Sequence, residues 1–523
     1  MCDLKHQPRS VDVAGAVLLA VFGVAGCGSG GPNSPMDGSD GPAQAADAGG
    51  MAGTTGRADA GSQAPDAGSG GGGATGAAGA GGASTDSGVG AGGAGTGGAG
   101  TAGAGGAGPP RCQVPWASDL QLGTAADDQI LGMNVDGNDD LLASGYEQGV
   151  VGVTNIDPDG DARAVVLKLG PSGTTLWKAI LDTAAADTAE DVAVDRASGD
   201  LIVVGRTSGA FPTFVNQGQF DLFLARLDPS GQVTSLLQAG NERPQHPVRL
   251  SLAPGGGVLV AGWDDTYIPT NYVAANQDGF VAAFTTDPGA GHAFTQTSMQ
   301  YTFPQSMTGP FSLATGVAAE QDGSGASYVT TLVASSRSPE NGISVTKLDA
   351  QQTIVWNELI SPDSFDAVTA VGLSPSGDLF ATGGTLHTLG AQAFGQEDAY
   401  VMKIDKATGA PIWTSQAGGP DSDYPTALGF DAAGNVYIAG ITLGSVIAGV
   451  PNQGSADLFA MKFSPSGALV SVWQRGTSED DELTSLAVDS CGRLFVGGYT
   501  RGALVAGQPS SGGEDMFVLQ ATF

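Results

Sequence analysis

The sequence predicts an all-β protein: a seven-bladed β-propeller, closed by an N-terminal strand in the last blade and preceded by a disordered Gly/Ala-rich tether. Three observations carry this. Short strands ending in glycine recur from residue 111 onward, at Gly145, Gly205, Gly262, Gly383, Gly440 and Gly498, with adjacent copies 57, 58 or 60 residues apart. No stretch of that region has a helical apolar period. The array also begins with a fourth strand and stops after a third, so its ends complete one another.

Residues 1–27 read as an export signal. Lys5 and Arg9 supply positive charge, and Val13 to Phe22 is an apolar run too short to span a bilayer. The run ends Val24-Ala25-Gly26-Cys27, which resembles the lipobox of bacterial lipoproteins. That resemblance implies cleavage before Cys27 and acylation of its thiol and new amino group; an ordinary signal peptide cleaved nearby is the other reading. Gly28, rather than Asp, follows Cys27, which by the same resemblance implies the outer membrane of a Gram-negative cell, or its surface. Each buried CH₂ contributes about 0.8 kcal/mol, so several acyl chains anchor a protein almost permanently.

Residues 28–110 are Gly, Ala, Ser and Thr with scattered Asp and Pro, and offer nothing to bury. A coil of this length reaches roughly 50 Å. Glycine keeps no period of three, which excludes collagen.

Residues 111–523 form the propeller. Each unit starts with an alternating strand such as Asp191-Val192-Ala193-Val194-Asp195, then a turn, then the glycine-ended strand. A worn copy of that second strand is Tyr328 to Leu332. The third strands are Ala164 to Leu169, Leu222 to Leu227, Phe280 to Phe284, Ile343 to Leu348, Tyr400 to Ile404, Leu458 to Phe463 and Met516 to Ala521. Fourth strands often carry tryptophan: Trp177, Trp356, Trp413 and Trp473. A lone four-stranded sheet cannot cover both its faces, and radial stacking does.

The last unit ends at Phe523, directly after its third strand, and Trp116 lies 61 residues before Trp177, one repeat away. The strand around Trp116 is therefore expected in the last blade, leaving no open edge. Cys2 leaves with the signal and Cys27 is the acylation site, so Cys112 and Cys491 remain. The topology places them in one blade at the same end. They are either a disulfide, which an oxidising compartment allows, or two separated thiols, since first and outermost strands are not adjacent.

The third strands and their turns resemble the bacterial SBBP-type β-propeller repeat. Phe220-Asp221-Leu222-Phe223-Leu224-Ala225-Arg226-Leu227-Asp228-Pro229-Ser230-Gly231 and Asp398-Ala399-Tyr400-Val401-Met402-Lys403-Ile404-Asp405 carry the pattern, which covers most of 112–523. The resemblance implies a propeller on a secreted or surface protein, with no catalytic residues. Units around 241–350 depart most; Trp263, Tyr267 and Tyr272 there suggest either a distinct exposed face or ordinary loop drift. The turn Asp405 to Gly409 followed by Trp413 also resembles the tryptophan-docking repeat of quinoprotein dehydrogenases, which implies an alternative: a PQQ-type oxidoreductase with a quinone and calcium at its centre. Against it, no neighbouring cysteine pair or Cys-x-x-Cys-His site occurs, and blade packing explains a recurring aromatic.

Asp157, Asp159 and Asp161 alternate as calcium ligands do, but Lys168 stands where a distal bidentate acid belongs, so a solvated turn is the better reading. Asp221, Asp278, Asp398, Asp457 and Asp515 recur at the mouth of the third strand, as expected of turn-shaping carboxylates. No Gly-x-Ser-x-Gly elbow occurs in 111–523. The formal net charge of -33 repels nucleic acid. The expectation is a non-catalytic, cofactor-free propeller at the cell envelope, held to the membrane by its lipid and binding a protein or glycan partner.

Overall fold

In a computed structural model, the described residues are 114–148, 162–266, 276–287, 292–302, 311–334, 342–361 and 366–523. The export signal with Cys27, the tether, Cys112, Tyr267, Tyr272 and the Asp157, Asp159, Asp161 group lie outside them. The described residues form 28 strands in seven four-stranded antiparallel sheets. Six are sequential meanders, spanning 128–181, 187–239, 245–301, 311–361, 370–417 and 423–475, here blades 1 to 6. Blade 7 contains Asp481–Val488, Leu494–Thr500 and Asp515–Ala521, with Leu120–Leu122 as its outer strand. Leu120, Gln121 and Leu122 pair with Val518, Phe517 and Met516. The ring thus closes as the repeat phase predicts. The ladder itself begins four residues after Trp116, whose ring packs 4.8 Å from that of Phe495 in blade 7.

Burial follows position in the blade. Third strands such as Asp221–Leu227 and Asp457–Phe463 are covered on both faces by adjacent blades, which is why they read as apolar runs. Fourth strands form the rim and leave Leu176, Ile354, Ile412 and Val470 exposed. First strands line the ring's centre and carry a bulge, as at Pro425/Ala427 and Leu483/Ser485. The bulge threonine bonds the next blade: Thr315 Oγ1 donates to Val368 (2.8 Å), Thr369 to Pro425 (2.7 Å), Thr426 to Leu483 and Thr484 to Ile130. Where blades 1 to 3 carry Leu131, Glu190 and Val248 instead, Arg249 reaches across from blade 3 to the Thr484 carbonyl (3.2 Å).

Adjacent blades are also joined by a tryptophan seated on a glycine. Trp116, Trp177, Trp356 and Trp413 lie against Gly173, Gly231, Gly409 and Gly467 in the turn of the next blade. Each of these glycines has φ between +83° and +87°, and a Cβ on Gly467 would sit 2.8 Å from the Trp413 ring. The indole nitrogens of Trp177 and Trp356 donate to the carbonyls of Pro229 and Lys406 in the same turns. Trp473 is displaced: it faces Ala460, two positions beyond the Lys403–Trp413 register. Gly467→Ala is expected to cost roughly 2–3 kcal/mol, from left-handed strain together with displacement of the indole. A urea-unfolding midpoint within error of the parent would contradict this joint.

Candidate functional site

The recurring aspartates hold loops. Asp221, Asp398, Asp457 and Asp515 each accept from a backbone amide four residues earlier, at Gln217, Phe394, Gln453 and Ser511. Each also accepts from a glutamine on the fourth strand: Gln238 and Gln416 at 2.8 Å, Gln474 and Gln121 at 2.9 Å. The same amide oxygens accept from loop N–H groups at Phe211, Leu389, Val446 and Leu504. These glutamines stand opposite Phe223, Tyr400, Phe459 and Phe517, so Gln121 in the closing strand occupies the same register as its three counterparts. The signal for the glutamines is a repeated Gln-x-Gly, ending at Gly240, Gly418, Gly476 and Gly123. A Cβ on Gly123 would lie 1.7 Å from Asp515 Oδ1, so the latch needs glycine there.

A second set of carboxylates, missed from the sequence, opens the first strands. Asp128, Asp187, Asp423 and Asp481 are buried and accept from the amides of Thr124, Thr183, Gly419 and Thr477. The constant spacing of four was its signal. Burial pushes Asp128 up to about 7, with Glu147 adding to it and the Thr124 bonds opposing. Burial likewise takes Asp423 to about 6, against bonds from Thr442 and Gly419. Glu397 is driven to about 8 by burial and by Asp366, Asp398 and Asp423, against a bond from Tyr424.

These raised groups bind protons more tightly in the folded chain than in the unfolded one. Their stabilising contribution is full below their ordinary values of 3.8 and 4.5 and is lost as pH rises to about 8. Asp136 and Asp431 act oppositely. Burial works against them, but hydrogen bonds and the nearby Lys168 and Lys462 hold them below the usual range, so their contribution disappears only in acid. Unfolding midpoints are therefore expected to be higher near pH 5.5 than near pH 8.5, with Glu397→Gln flattening the slope; a midpoint rising with pH over that window contradicts the assignment.

Blade 3 departs from this scheme at every level. Asp278 pairs with Arg243 (3.1 Å), which also reaches Asp264 (3.4 Å). Asp264 accepts from the Tyr301 hydroxyl (2.9 Å); burial raises both, Tyr301 to about 12. Trp263, read from the sequence as part of either a distinct exposed face or ordinary loop drift, is buried at 5% exposure and stacked on His246 at 5.3 Å. It sits on a second strand, where neighbouring blades cover the sheet, and that position outweighs the irregular loops around it. The His246 ring is fixed between Arg206, which donates to Nδ1 (2.7 Å), and Asp265, which accepts from Nε2 (2.9 Å).

The joint between blades 3 and 4 lacks its tryptophan. Ser298, opposite Ala283, holds the register position that Trp413 holds opposite Lys403, as do Ser235 in blade 2 and Ser471 in blade 6. The facing turn correspondingly has Gln352 at φ +60°, where blades 1, 2, 5 and 6 have glycine. Beside this joint lies a cleft of 380 Å³ lined by Val281, Gln300, Tyr301, Thr346 and Leu348 and by the turn 351–354. Among the described residues no grouping of three or more His, Cys, Asp or Glu is placed to hold a metal ion. Likewise no described helix is long and apolar enough to cross a membrane.

Cys491 is disulfide-bonded. It lies in the turn between the first two strands of blade 7, where its amide donates to Asp489. Arg493 Nη1, from the same turn, donates to the Val114 carbonyl (2.7 Å).

Seven meander sheets closed end to end define a β-propeller. Within it, residues 412–447 match the SBBP β-propeller repeat, from the fourth strand of blade 5 to just beyond the second strand of blade 6. No curated protein matches the chain. Similar solved structures include the β-propeller domain of Cps50 (Swd1) from Myceliophteria thermophila, at TM-score 0.42 and 11% identity, covering 77% of this chain and 99% of that one. Puromycin hydrolase has TM-score 0.40 and 15% identity, covering 73% of this chain and 52% of that one. An ulvan lyase of polysaccharide lyase family PL25 has TM-score 0.42 and 9% identity, covering 76% and 97%. At such scores these likenesses carry no argument about function.

Proposed function

We propose that the chain is a bacterial cell-envelope lipoprotein whose propeller is a non-catalytic scaffold for a protein or glycan partner. One observation supports this most. The recurring polar residues are bound into loop latches in blades 2, 5, 6 and 7 and into blade joints, which builds a rigid ring with pre-shaped loops. The turn and tryptophan that resemble a quinoprotein repeat are likewise engaged between blades, Gly409 under Trp356 and Trp413 on Gly467. The anchor rests on Val24-Ala25-Gly26-Cys27.

Metabolic labelling with a fatty-acid analogue tests the anchor. Label is expected on the parent and absent from Cys27→Ser, which should leave the membrane fraction; an unlabelled parent overturns it. Cross-linking in intact envelopes tests the scaffold, which predicts one reproducible partner retained through stringent washing. Quinone-dependent dye reduction by the purified chain would instead support the oxidoreductase reading.

We also propose Cys112 as the partner of Cys491. The Arg493–Val114 bond brings the chain two residues beyond Cys112 to the turn that carries Cys491.

A further inference from the structure

We propose that the cleft between blades 3 and 4 is a binding site for a neutral saccharide. The cleft lies beside a joint that has neither the tryptophan nor the glycine found at four others. Elsewhere Trp116, Trp177, Trp356 and Trp413 fill the joint between blades and lie on a glycine. In blade 3 the tryptophan position is Ser298 and the residue facing it across the strand pair is Ala283, in place of lysine. The opposing turn has Gln352 instead of glycine, and Gln352 lines the cleft, as does Gln300, two residues beyond Ser298. The cleft's 380 Å³ lies in the range of small-ligand sites.

The lining indicates the ligand class. Its polar side chains are amides and hydroxyls: Gln300, Gln351, Gln352, Thr346 and the ring edge of Tyr301, over a floor of Val281, Val329 and Leu348. Among the described lining residues none is Lys, Arg, His, Asp or Glu, so these walls offer neither an anion nor a cation a counter-charge. The acidic chain further disfavours anions. Amides and hydroxyls both donate and accept, which matches sugar hydroxyls, while the apolar floor suits the C–H face of a pyranose. Gln352 Oε1 is buried and has no hydrogen-bond partner, an acceptor that a ligand hydroxyl would satisfy. The walls are fixed in advance. The Tyr301 hydroxyl is tied to Asp264, and the Gln352 amide to the Asp349 carbonyl. Gln300, Gln351 and Thr353 are exposed at the mouth, so the cleft is open to solvent.

This inference rests on the binding reading above and narrows it to one site and one ligand class. The test is calorimetric titration of the detergent-solubilised full chain with N-acetylglucosamine, galactose, chitobiose, cellobiose and maltose, alongside glucosamine and glucuronate. At least one neutral sugar is expected to bind, with the charged pair at least tenfold weaker. Ser298→Trp combined with Gln352→Gly copies the joint found at four other blade pairs and removes the Gln352 side chain from the cleft; it should abolish binding and leave the unfolding midpoint unchanged or higher. Gln352→Leu, which keeps the turn, should weaken binding at least tenfold and guards against a misfolded double variant. No neutral sugar binding at millimolar concentration, binding that survives the rebuilt joint, or preference for a charged sugar each overturns the proposal. Should the rebuilt-joint variant still capture the same envelope partner while the parent binds no sugar, the saccharide site fails and the scaffold stands. Sugar binding by a chain that captures no envelope partner means the opposite: the saccharide site stands and the protein scaffold fails.

Discussion

A chain beginning at Thr124 is expected not to fold as a cooperative unit. Such a chain lacks Leu120–Leu122, so the edge of Met516–Val518 faces water and blade 7 has three strands. It also lacks Gln121, whose amide bonds Asp515, Gly502, Leu504 and Val505 at once. Asp515 and those loop groups are buried, and each unsatisfied group costs about 1–3 kcal/mol. An open apolar edge adds an aggregation hazard. The expected result is a broad, non-cooperative transition or insoluble protein. The milder Gln121→Leu, which keeps the strand but removes the latch, should fold with a loss of about 2–4 kcal/mol. A truncated chain with the parent's unfolding curve would mean that the ring does not depend on its first strand.

The second large effect concerns Cys491. If Cys112 is its partner, the bond encloses nearly the whole ring, and chain entropy assigns such a loop at most about 6 kcal/mol. Cys491→Ser is therefore expected to lower the denaturant midpoint strongly, and reductant should bring the parent to the same value while leaving the variant unchanged. Peptide mapping under non-reducing conditions should recover Cys112 joined to Cys491. A mapped bond to a different cysteine, or a variant as stable as the parent, would overturn the pairing.

Much of the architecture was legible because a propeller repeats its physics. The glycine-ended second strands recur since a Cβ on Gly205, Gly383, Gly440 or Gly498 would press within 2.1 Å of the carbonyl of the first strand. The closing strand was legible from phase alone, and the recurring aspartates announced a loop device. Their glutamine partners were not, although Gln-x-Gly repeats as regularly, because a half-buried amide on a rim strand has no distinctive pattern of its own. Trp263 misled for the opposite reason. An aromatic beside long irregular loops looks exposed, but the residue after the second-strand glycine packs between blades whatever the loops do. The cleft at blades 3 and 4 was invisible as a site, since its lining residues come from four separate strands and a turn and share no sequence pattern.

One blade is woven from both ends of the propeller sequence. Hydrogen-exchange mass spectrometry tests it most directly, by comparing the amides of 120–122 with those of 515–521. Shared hydrogen bonding predicts that both segments are protected and become exchangeable together as denaturant is added. Free exchange at 120–122 beside a protected 515–521 would contradict it.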